Sequence, residues 1–170
     1  MSKLRKALLM GNREKICFIA SSGGHVQEIS WLFDLCDEYD SFLVTERDDF
    51  QKEYSVERTY YFNKIDRREK HFFLHFLQLI ANSAKLMHRE KPDIILSTGA
   101  LVSVPILYIG KLLGKKIIFM ESMARVEGKS LSGRLVYPIA DLFLVQWESM
   151  LACYPKAVYA SRLFGEVKTL

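Results

Sequence analysis

The chain has 170 residues, of which 49% are hydrophobic and 26% charged, with a formal net charge of +4. This length supports one domain with a hydrophobic core and leaves little room for two. Residues 1–15 carry five basic side chains and one acidic one, so the remainder of the chain is neutral. A neutral body argues against a nucleic-acid-binding surface spread over the domain. We therefore predict a basic amphipathic leader, 1–15, followed by one domain, 16–170.

Two further classes of protein are disfavoured by composition. No run of about twenty apolar residues is present, so no segment is expected to cross a bilayer. The three cysteines, Cys17, Cys36 and Cys153, lie far apart in apolar contexts and form no C-x-x-C pair. They are typical of buried thiols in a reducing compartment, not of a disulfide framework or a zinc site. We expect neither a metal nor another cofactor.

Short β-rich runs alternate with segments of helical spacing along the chain. In the first helical segment, Val26, Ile29, Phe33 and Cys36 fall on one face. A long helix is expected to end before Lys91-Pro92, and Gly114 to close the helix that begins near Leu101. Apolar strands alternating with helices predict an α/β fold with a single Rossmann-like, doubly wound parallel sheet. The predicted strands are Ile16–Ala20, Ser41–Thr45, Thr59–Phe62, Asp93–Ser97, Lys116–Met120 and Leu142–Gln146.

The carboxyl ends of these strands identify the loops in which a ligand is expected. In open parallel sheets, ligands bind in the crevice outside the carboxyl ends of the strands. The corresponding loops are Ser21–His25, Glu46–Asp48, Ser97–Leu101, Glu121–Ser132 and Trp147–Ser149.

The first of these loops, Ser21-Ser22-Gly23-Gly24, lies between a strand and a helix. Glycines allow a sharp turn and a close approach of the backbone to a phosphate, but a tight turn without a ligand has the same requirement. A nicotinamide-binding fingerprint is disfavoured, because Ser22 and Gln27 occupy two of its three glycine positions. His25 follows the turn and is suited to accept a proton from a substrate hydroxyl or to donate to a phosphate. Alternatively, it only caps its own turn.

Two later loops carry further candidates. Thr98 and Gly99 form a second glycine loop with small hydroxyl groups. Glu121 ends the fifth strand, where a carboxylate can hold a sugar hydroxyl or orient a base, or simply be solvated. Arg125 lies in a polar, glycine-containing loop that is suited to close over an anionic ligand.

The helix after the third strand is unusually apolar, with seven hydrophobic residues among Phe72–Ile80. Their side chains cover an arc of roughly 220°, whereas packing on a sheet needs a little over about 100°. Apolar surface flanked by cations suits an anionic membrane surface or a protein partner; burial on two sides within the domain is the alternative. The residues predicted for membrane association are Phe72, Phe73, Phe76, Leu77, Arg67, Arg68 and Lys70.

Three motifs together resemble a known family. They are SSGGH at 21–25, STGALVSVP at 97–105 and ESMARVEGKSLSGRLVYPIADLFLVQW at 121–147. They resemble the membrane-anchor subunit of the two-subunit N-acetylglucosaminyltransferase that builds the dolichol-linked chitobiose unit. They resemble more its bacterial counterparts in capsule and exopolysaccharide synthesis and, distantly, the amino-terminal half of the peptidoglycan glycosyltransferase that forms lipid II. The resemblance runs from about Ile16 to Phe164.

The resemblance implies a GT-B glycosyltransferase divided between two chains, with this chain as the amino-terminal, acceptor-binding half. A partner chain would bring a UDP-sugar, and this chain would bind an undecaprenyl-diphosphate-linked sugar in capsular or exopolysaccharide synthesis. His25 matches the histidine proposed in the family as acceptor-side base or phosphate ligand, and Glu121 matches the acidic residue near the acceptor sugar; we predict that both are catalytic. Gly23, Gly24 and Gly99 match the glycine loops at the cleft. The residues predicted to bind the acceptor or its phosphates are Ser21, Ser22, Gly23, Gly24, Thr98, Gly99 and Arg125.

Eukaryotic members carry a hydrophobic anchor at the amino terminus, where this chain has its basic leader. The expected location is therefore the cytoplasmic face of the plasma membrane, by peripheral attachment to an anionic surface. Two other functions remain open. One is a non-catalytic recruitment module that only binds the catalytic partner and the membrane. The other is an independent nucleotide- or flavin-binding enzyme.

Overall fold

The computed structural model describes residues 14–47, 54–66 and 68–160, and these form one seven-stranded parallel sheet. The predicted leader lies almost entirely outside the described residues, as do Asp48 and Arg67. The strands are β1 (Lys15–Ile19), β2 (Asp40–Glu46), β3 (Thr59–Phe62), β4 (Ile94–Ser97), β5 (Lys116–Met120), β6 (Leu142–Val145) and β7 (Val158–Tyr159). Their spatial order is β3-β2-β1-β4-β5-β6-β7. The predicted single Rossmann-like, doubly wound sheet is therefore confirmed.

Helices cover both faces of the sheet. The α-helices are α1 (Gly24–Ser30), α2 (Phe72–Glu90), α3 (Ser103–Leu112) and α4 (Leu131–Val136). Alternate residues of β1 point to opposite faces, as the pleat requires. Cys17 and Ile19 pack in the core beneath α2, α3 and α4, whereas Ile16 and Phe18 pack beneath α1. The predicted six strands are all present, with ends displaced by one residue at most.

The first helical segment differs from its prediction. α1 ends at Ser30, and Phe33–Asp37 forms a separate 3-10 helix. The hydroxyl of Ser30 donates to the carbonyl of Gln27 at 2.7 Å, a back-bond that disfavours continuation of an α-helix. Val26, Ile29, Phe33 and Cys36 still contact one core, so the predicted face is correct although the helix is interrupted.

The other helix ends follow the predicted signals. α2 ends where Lys91 adopts a left-handed conformation with φ 49°, directly before Pro92. Gly114, with φ 71°, follows the end of α3. The strand that the sequence did not predict is β7, which has two residues and pairs with β6. Two residues are too few to produce a detectable period of alternation.

Candidate functional site

The site lies where the strand order reverses, between β1 and β4. These strands are neighbours and parallel, so the loops that follow them meet at one edge of the sheet. The hydroxyl of Thr98, after β4, donates to the carbonyl oxygen of His25, after β1, at 2.8 Å. Such switch points are where α/β sheets bind ligands. The structure thus brings together the two glycine loops predicted from the sequence.

The first glycine loop presents open backbone. Gly23 has φ 86°, a conformation that side chains rarely adopt, and it precedes the first residue of α1. A Cβ built on Gly23 or Gly24 would meet no atom within 4 Å. Ser21 and Ser22 are half-buried beside them. Because no side chain fills this space, a ligand can approach the backbone here.

The second glycine loop forms a floor beneath the His25 ring. Gly99 has φ 113°, and a Cβ at this position would lie 3.5 Å from Cε1 of His25 and 3.3 Å from the Ser132 hydroxyl. Ala100 also has a positive φ, 75°. A positive φ is uncommon in a residue with a side chain, and residues in such conformations cluster at functional sites.

Glu121 lies at the carboxyl end of the sheet but is only 2% exposed. Its Oε2 accepts hydrogen bonds from the Tyr154 hydroxyl at 2.7 Å and from the Ser130 backbone N–H at 3.4 Å. Gly133 packs directly on this pair, and a Cβ there would overlap Oε2 of Glu121 and the hydroxyl of Tyr154. The carboxylate therefore holds the start of α4. The alternative expectation, that Glu121 is a solvated residue at a strand end, is wrong.

Sequence reasoning missed Glu28 as a site residue. It is 8% exposed, and its Oε1 accepts from the Ser122 hydroxyl at 2.8 Å and the Met123 N–H at 3.1 Å. Burial raises the pKa of Glu28, while the hydrogen bond from Ser122 and the charge of His25 act in the opposite direction. The available signal was its spacing of three residues from His25, which places both on one side of a helix.

Like Glu28, Glu46 at the end of β2 has a buried carboxyl group with a raised pKa. Burial raises its pKa, and the positive charge of Lys64 and the backbone N–H of Ser22 partly offset that effect. Carboxyl groups with raised pKa values cluster at functional sites more often than elsewhere. Glu28 and Glu46 thus support the assignment of this edge as a site.

Arg125 lies in the exposed segment that follows β5. Two side chains that follow β6 hold this segment by hydrogen bonds. The Trp147 indole donates to the carbonyl of Met123 at 2.7 Å, and the Ser149 hydroxyl donates to the carbonyl of Val126 at 2.6 Å. The segment is therefore attached at two places beside the exposed guanidinium. Within the described residues, no side-chain hydrogen bond or ion pair joins Arg125 to the glycine loops.

The amino-terminal half of α2 exposes an apolar surface. Phe73 and Leu74 are 70% and 62% exposed, and Leu77 and Ile80 are exposed as well. Phe72 and Phe76 are half-buried and stack on each other, with ring centroids 5.6 Å apart. Arg68 and Lys70 are exposed nearby. The predicted surplus of apolar surface is therefore confirmed; the predicted membrane contact is not tested by it.

None of the described helices is both long and apolar enough to pass through a bilayer. Within the described parts of the chain, no group of three or more His, Cys, Asp or Glu residues is arranged to hold a metal ion.

Comparison with known proteins identifies the family. Residues 16–163 match the family described as oligosaccharide biosynthesis protein Alg14 like. The chain belongs to this Alg14-like family. It is 34% identical to the rat UDP-N-acetylglucosamine transferase subunit ALG14, over 87% of this chain and 82% of the rat protein. The human subunit is 32% identical, with the same two coverages. The resemblance to the two-subunit transferase is confirmed, and membership of the bacterial capsule branch stays a prediction.

Solved structures of low sequence identity share the fold of this Alg14-like chain. MurG from Acinetobacter baumannii superposes with a TM-score of 0.63 at 14% identity, over 79% of this chain and 41% of MurG. A UDP-N-acetylglucosamine 2-epimerase superposes with a TM-score of 0.64 at 13% identity, over 85% of this chain and 45% of the epimerase. The chain thus spans less than half of these structures, as expected for one Rossmann-like half of a GT-B architecture.

Proposed function

We propose that this chain is the acceptor-binding, membrane-associating subunit of a two-chain glycosyltransferase. Its partner binds UDP-N-acetylglucosamine, and together they transfer the sugar to a sugar linked to a lipid diphosphate. Membership of the Alg14-like family, and the description of its rat and human relatives as transferase subunits, support this division of labour. The single observation that carries the proposal is the open switch point, where His25 and two glycine loops meet.

The acceptor diphosphate is proposed to lie against Gly23 and Gly24. Open space above both glycines supports this position, because the phosphate oxygens can approach the backbone N–H groups closely. Ser22 supplies a hydroxyl group beside them, whereas the predicted ligand contact of Thr98 is replaced by a structural one, because its hydroxyl is buried and donates to the His25 carbonyl. Arg125 is proposed to approach from the rim when the partner closes the cleft.

His25 is proposed to be the acceptor-side base. As the acceptor oxygen attacks C1 of the donor sugar, the bond from C1 to the UDP oxygen breaks and the hydroxyl proton passes to the imidazole. UDP leaves with the electron pair of the broken bond, and attack from the opposite face inverts the configuration at C1. A general base of this kind contributes on the order of a hundred- to ten-thousandfold in rate.

Glu121 was predicted to be catalytic, and that prediction stays a proposal in a modified form. Its carboxylate is buried and bound by Tyr154 and Ser130. We propose that it acts on the acceptor sugar through the loop that it holds, Ser130–Ser132, which lies beside Gly99 and His25.

Membrane association is proposed through the exposed apolar surface of α2. Phe73, Leu74 and Leu77 would enter the interfacial region of the bilayer, while Arg68 and Lys70 meet anionic headgroups. The proposed location is the cytoplasmic face, where the UDP-sugar is available. In its more specific form, the proposal is that the lipid carrier is undecaprenyl and that the transferred sugar enters capsular polysaccharide synthesis.

A second candidate is the non-catalytic recruitment module. The burial of Glu121 behind Tyr154 favours it, because a carboxylate in that position contributes to stability without touching a ligand. The two candidates differ in what His25 does, and not in which surfaces bind the partner and the membrane.

One experiment separates them. The chain is combined with the proposed UDP-sugar-binding partner, and transfer from UDP-N-acetylglucosamine to dolichyl- and undecaprenyl-diphosphate-linked sugars is measured. His25→Gln is expected to lower kcat at least about a hundredfold, whereas His88→Gln, at an exposed position on α2, is the matched control. Full transfer by His25→Gln would favour the recruitment module, and preference for one lipid identifies the carrier.

A further inference from the structure

The proposed reaction leaves one buried ionisable group of α1 without a role. Glu28 lies three residues after His25, and its Oε1 is fixed by Ser122 and Met123 from the segment after β5. Its other oxygen, Oε2, is buried and has no hydrogen-bond partner among the described residues. Such a group is unusual, because nearly all buried polar atoms in folded proteins are paired.

The imidazole of His25 has a matching feature. Its Nδ1 is buried and likewise lacks a partner within the described part of the chain. Positions separated by three residues share a side of a helix. The carboxyl of Glu28 lies near enough to the ring for the charge of His25 to lower its pKa. Two unpaired buried atoms, an oxygen and a nitrogen, thus occur on neighbouring side chains at the switch point.

We propose that Glu28 is a positioning residue for His25, whose carboxylate keeps the proton on Nδ1 and stabilises the imidazolium formed during transfer. This inference rests on the proposed function. The acceptor hydroxyl proton passes to Nε2, Nδ1 keeps its own proton, and the negative charge of Glu28 offsets the positive ring. The two side chains make no direct hydrogen bond, so the coupling acts through space or through one bridging water.

The surroundings of the pair suit this role. Besides His25, the groups that act on the Glu28 carboxyl are the Ser122 hydroxyl, the Met123 N–H and the Gln146 amide, and none of these three titrates near neutral pH. Thr98 fixes the backbone of His25 through its carbonyl. Among these groups only His25 and Glu28 can carry a charge, as in hydrolase triads where a carboxylate orients a histidine.

The coupling is testable in the chain without any partner. Carboxyl ¹³C NMR follows the titration of Glu28, and His25→Gln removes a positive charge from its neighbourhood. The midpoint for Glu28 is expected to move to higher pH in that variant, because a nearby positive charge has been removed. Glu38→Gln, which removes an exposed carboxylate beyond α1, is the control and should leave the Glu28 midpoint in place.

The second measurement uses the reconstituted transferase. Glu28→Gln keeps the size of the side chain and an oxygen for Ser122 and Met123 but removes the charge. Transfer is expected to fall at least about tenfold, and the pH–rate profile should change, because the negative charge beside the proposed base has been removed. Circular dichroism confirms that the variant is folded.

The outcomes are distinct. A Glu28 midpoint that does not respond to His25→Gln overturns the proposal, whether or not transfer occurs. A uniform loss of transfer in Glu28→Gln, with an unchanged pH profile, also overturns it, since that is the signature of a purely structural residue. A shifted midpoint together with no transfer by any form of the complex supports the coupling and counts against the proposed function alone.

Discussion

The hydroxyl of Tyr154 lies 2.7 Å from Oε2 of Glu121, and both side chains are buried at the carboxyl end of the sheet. The hydrogen bond joins the segment after β6 to the end of β5. Burial, followed by the bond to Glu121 and the charge of that carboxylate, raises the pKa of Tyr154 well above its usual range, so the phenol remains a donor at every physiological pH. The pair therefore fixes the loop that borders the His25 site.

Removal of this donor should destabilise the fold. Tyr154→Phe leaves a buried carboxylate with only the longer bond from Ser130, and such a loss costs about 1–3 kcal/mol. The free energy of unfolding, measured by urea denaturation, is expected to fall by this amount. Tyr159→Phe, at an exposed position on β7, is the control. Equal stability of Tyr154→Phe and the unmodified chain would show that Glu121 does not depend on the phenol.

Gly99→Ala should disturb the site for two reasons, which a second glycine separates. The φ of 113° is strained for alanine, and the new Cβ would crowd the Ser132 hydroxyl at 3.3 Å and contact the His25 ring at 3.5 Å. Gly114→Ala is also strained, with φ 71° closer to the left-handed region that L-residues adopt, but its Cβ would meet nothing within 4 Å. Both are expected to lose about 1–3 kcal/mol of unfolding free energy, and only Gly99→Ala should also lose transfer. Transfer that survives in Gly99→Ala would contradict the proposed site.

The amino ends of the strands carry an ion-pair cluster with a clear pH dependence. The carboxyl of Glu90 accepts from the Tyr60 hydroxyl at 2.7 Å and from Arg58 and Lys15 at 3.1 and 3.4 Å. Burial alone would raise its pKa, but the Tyr60 hydrogen bond and the charges of Arg58 and Lys15 outweigh burial, and the pKa is lowered from 4.5. The stabilisation is therefore complete above pH 4.5 and is lost as the pH falls through the lowered value.

Glu90→Gln is expected to lower the free energy of unfolding by about 1.5–3 kcal/mol at pH 7. The difference from the unmodified chain should shrink as the pH falls from 4.5 through the lowered pKa, because the unfolded chain takes up the proton first and the native carboxylate does so only at the lower pH. Urea denaturation at a series of pH values measures this difference, with the exposed Glu38→Gln as control. A difference that is constant with pH would rule out the charge as its cause.

The apolar surface of α2 should determine binding to vesicles. Phe73→Ser combined with Leu77→Ser removes two exposed apolar side chains and is expected to weaken partitioning into anionic vesicles at least about tenfold. Leu112→Ser combined with Leu113→Ser is the matched control, since Leu112 is 86% exposed at the end of α3, directly before β5. Unchanged vesicle binding by the α2 variant would exclude this surface as the membrane contact.

Features that depend on hydrophobic spacing were predictable from the sequence, whereas contacts between distant residues were not. The strands were predictable because parallel strands buried on both faces are runs of apolar residues, and the glycine loops because they follow those runs. The spacing of Glu28 from His25 was visible in the sequence, but its burial was not predictable, since a charged residue on a helix is usually solvated and only the tertiary fold brings Ser122 and Met123 against it. The Tyr154 partner of Glu121 was missed for the same reason: it lies 33 residues away in the sequence.

The break after α1 was also beyond a periodicity argument. The apolar residues keep one face across the break, so the pattern is that of a single helix. The interruption depends on the back-bond from Ser30 to Gln27, and a short-range hydrogen bond of this kind leaves no trace in hydrophobic spacing.

The most direct test of the central claim is transfer of N-acetylglucosamine to a lipid-diphosphate-linked sugar by this chain alone, by its UDP-sugar-binding partner alone, and by the two together. We predict full transfer only when both chains are present, because the switch-point cleft of this chain provides the acceptor half of the site. Complete transfer by this chain without the partner, or no transfer by the pair, would contradict the account.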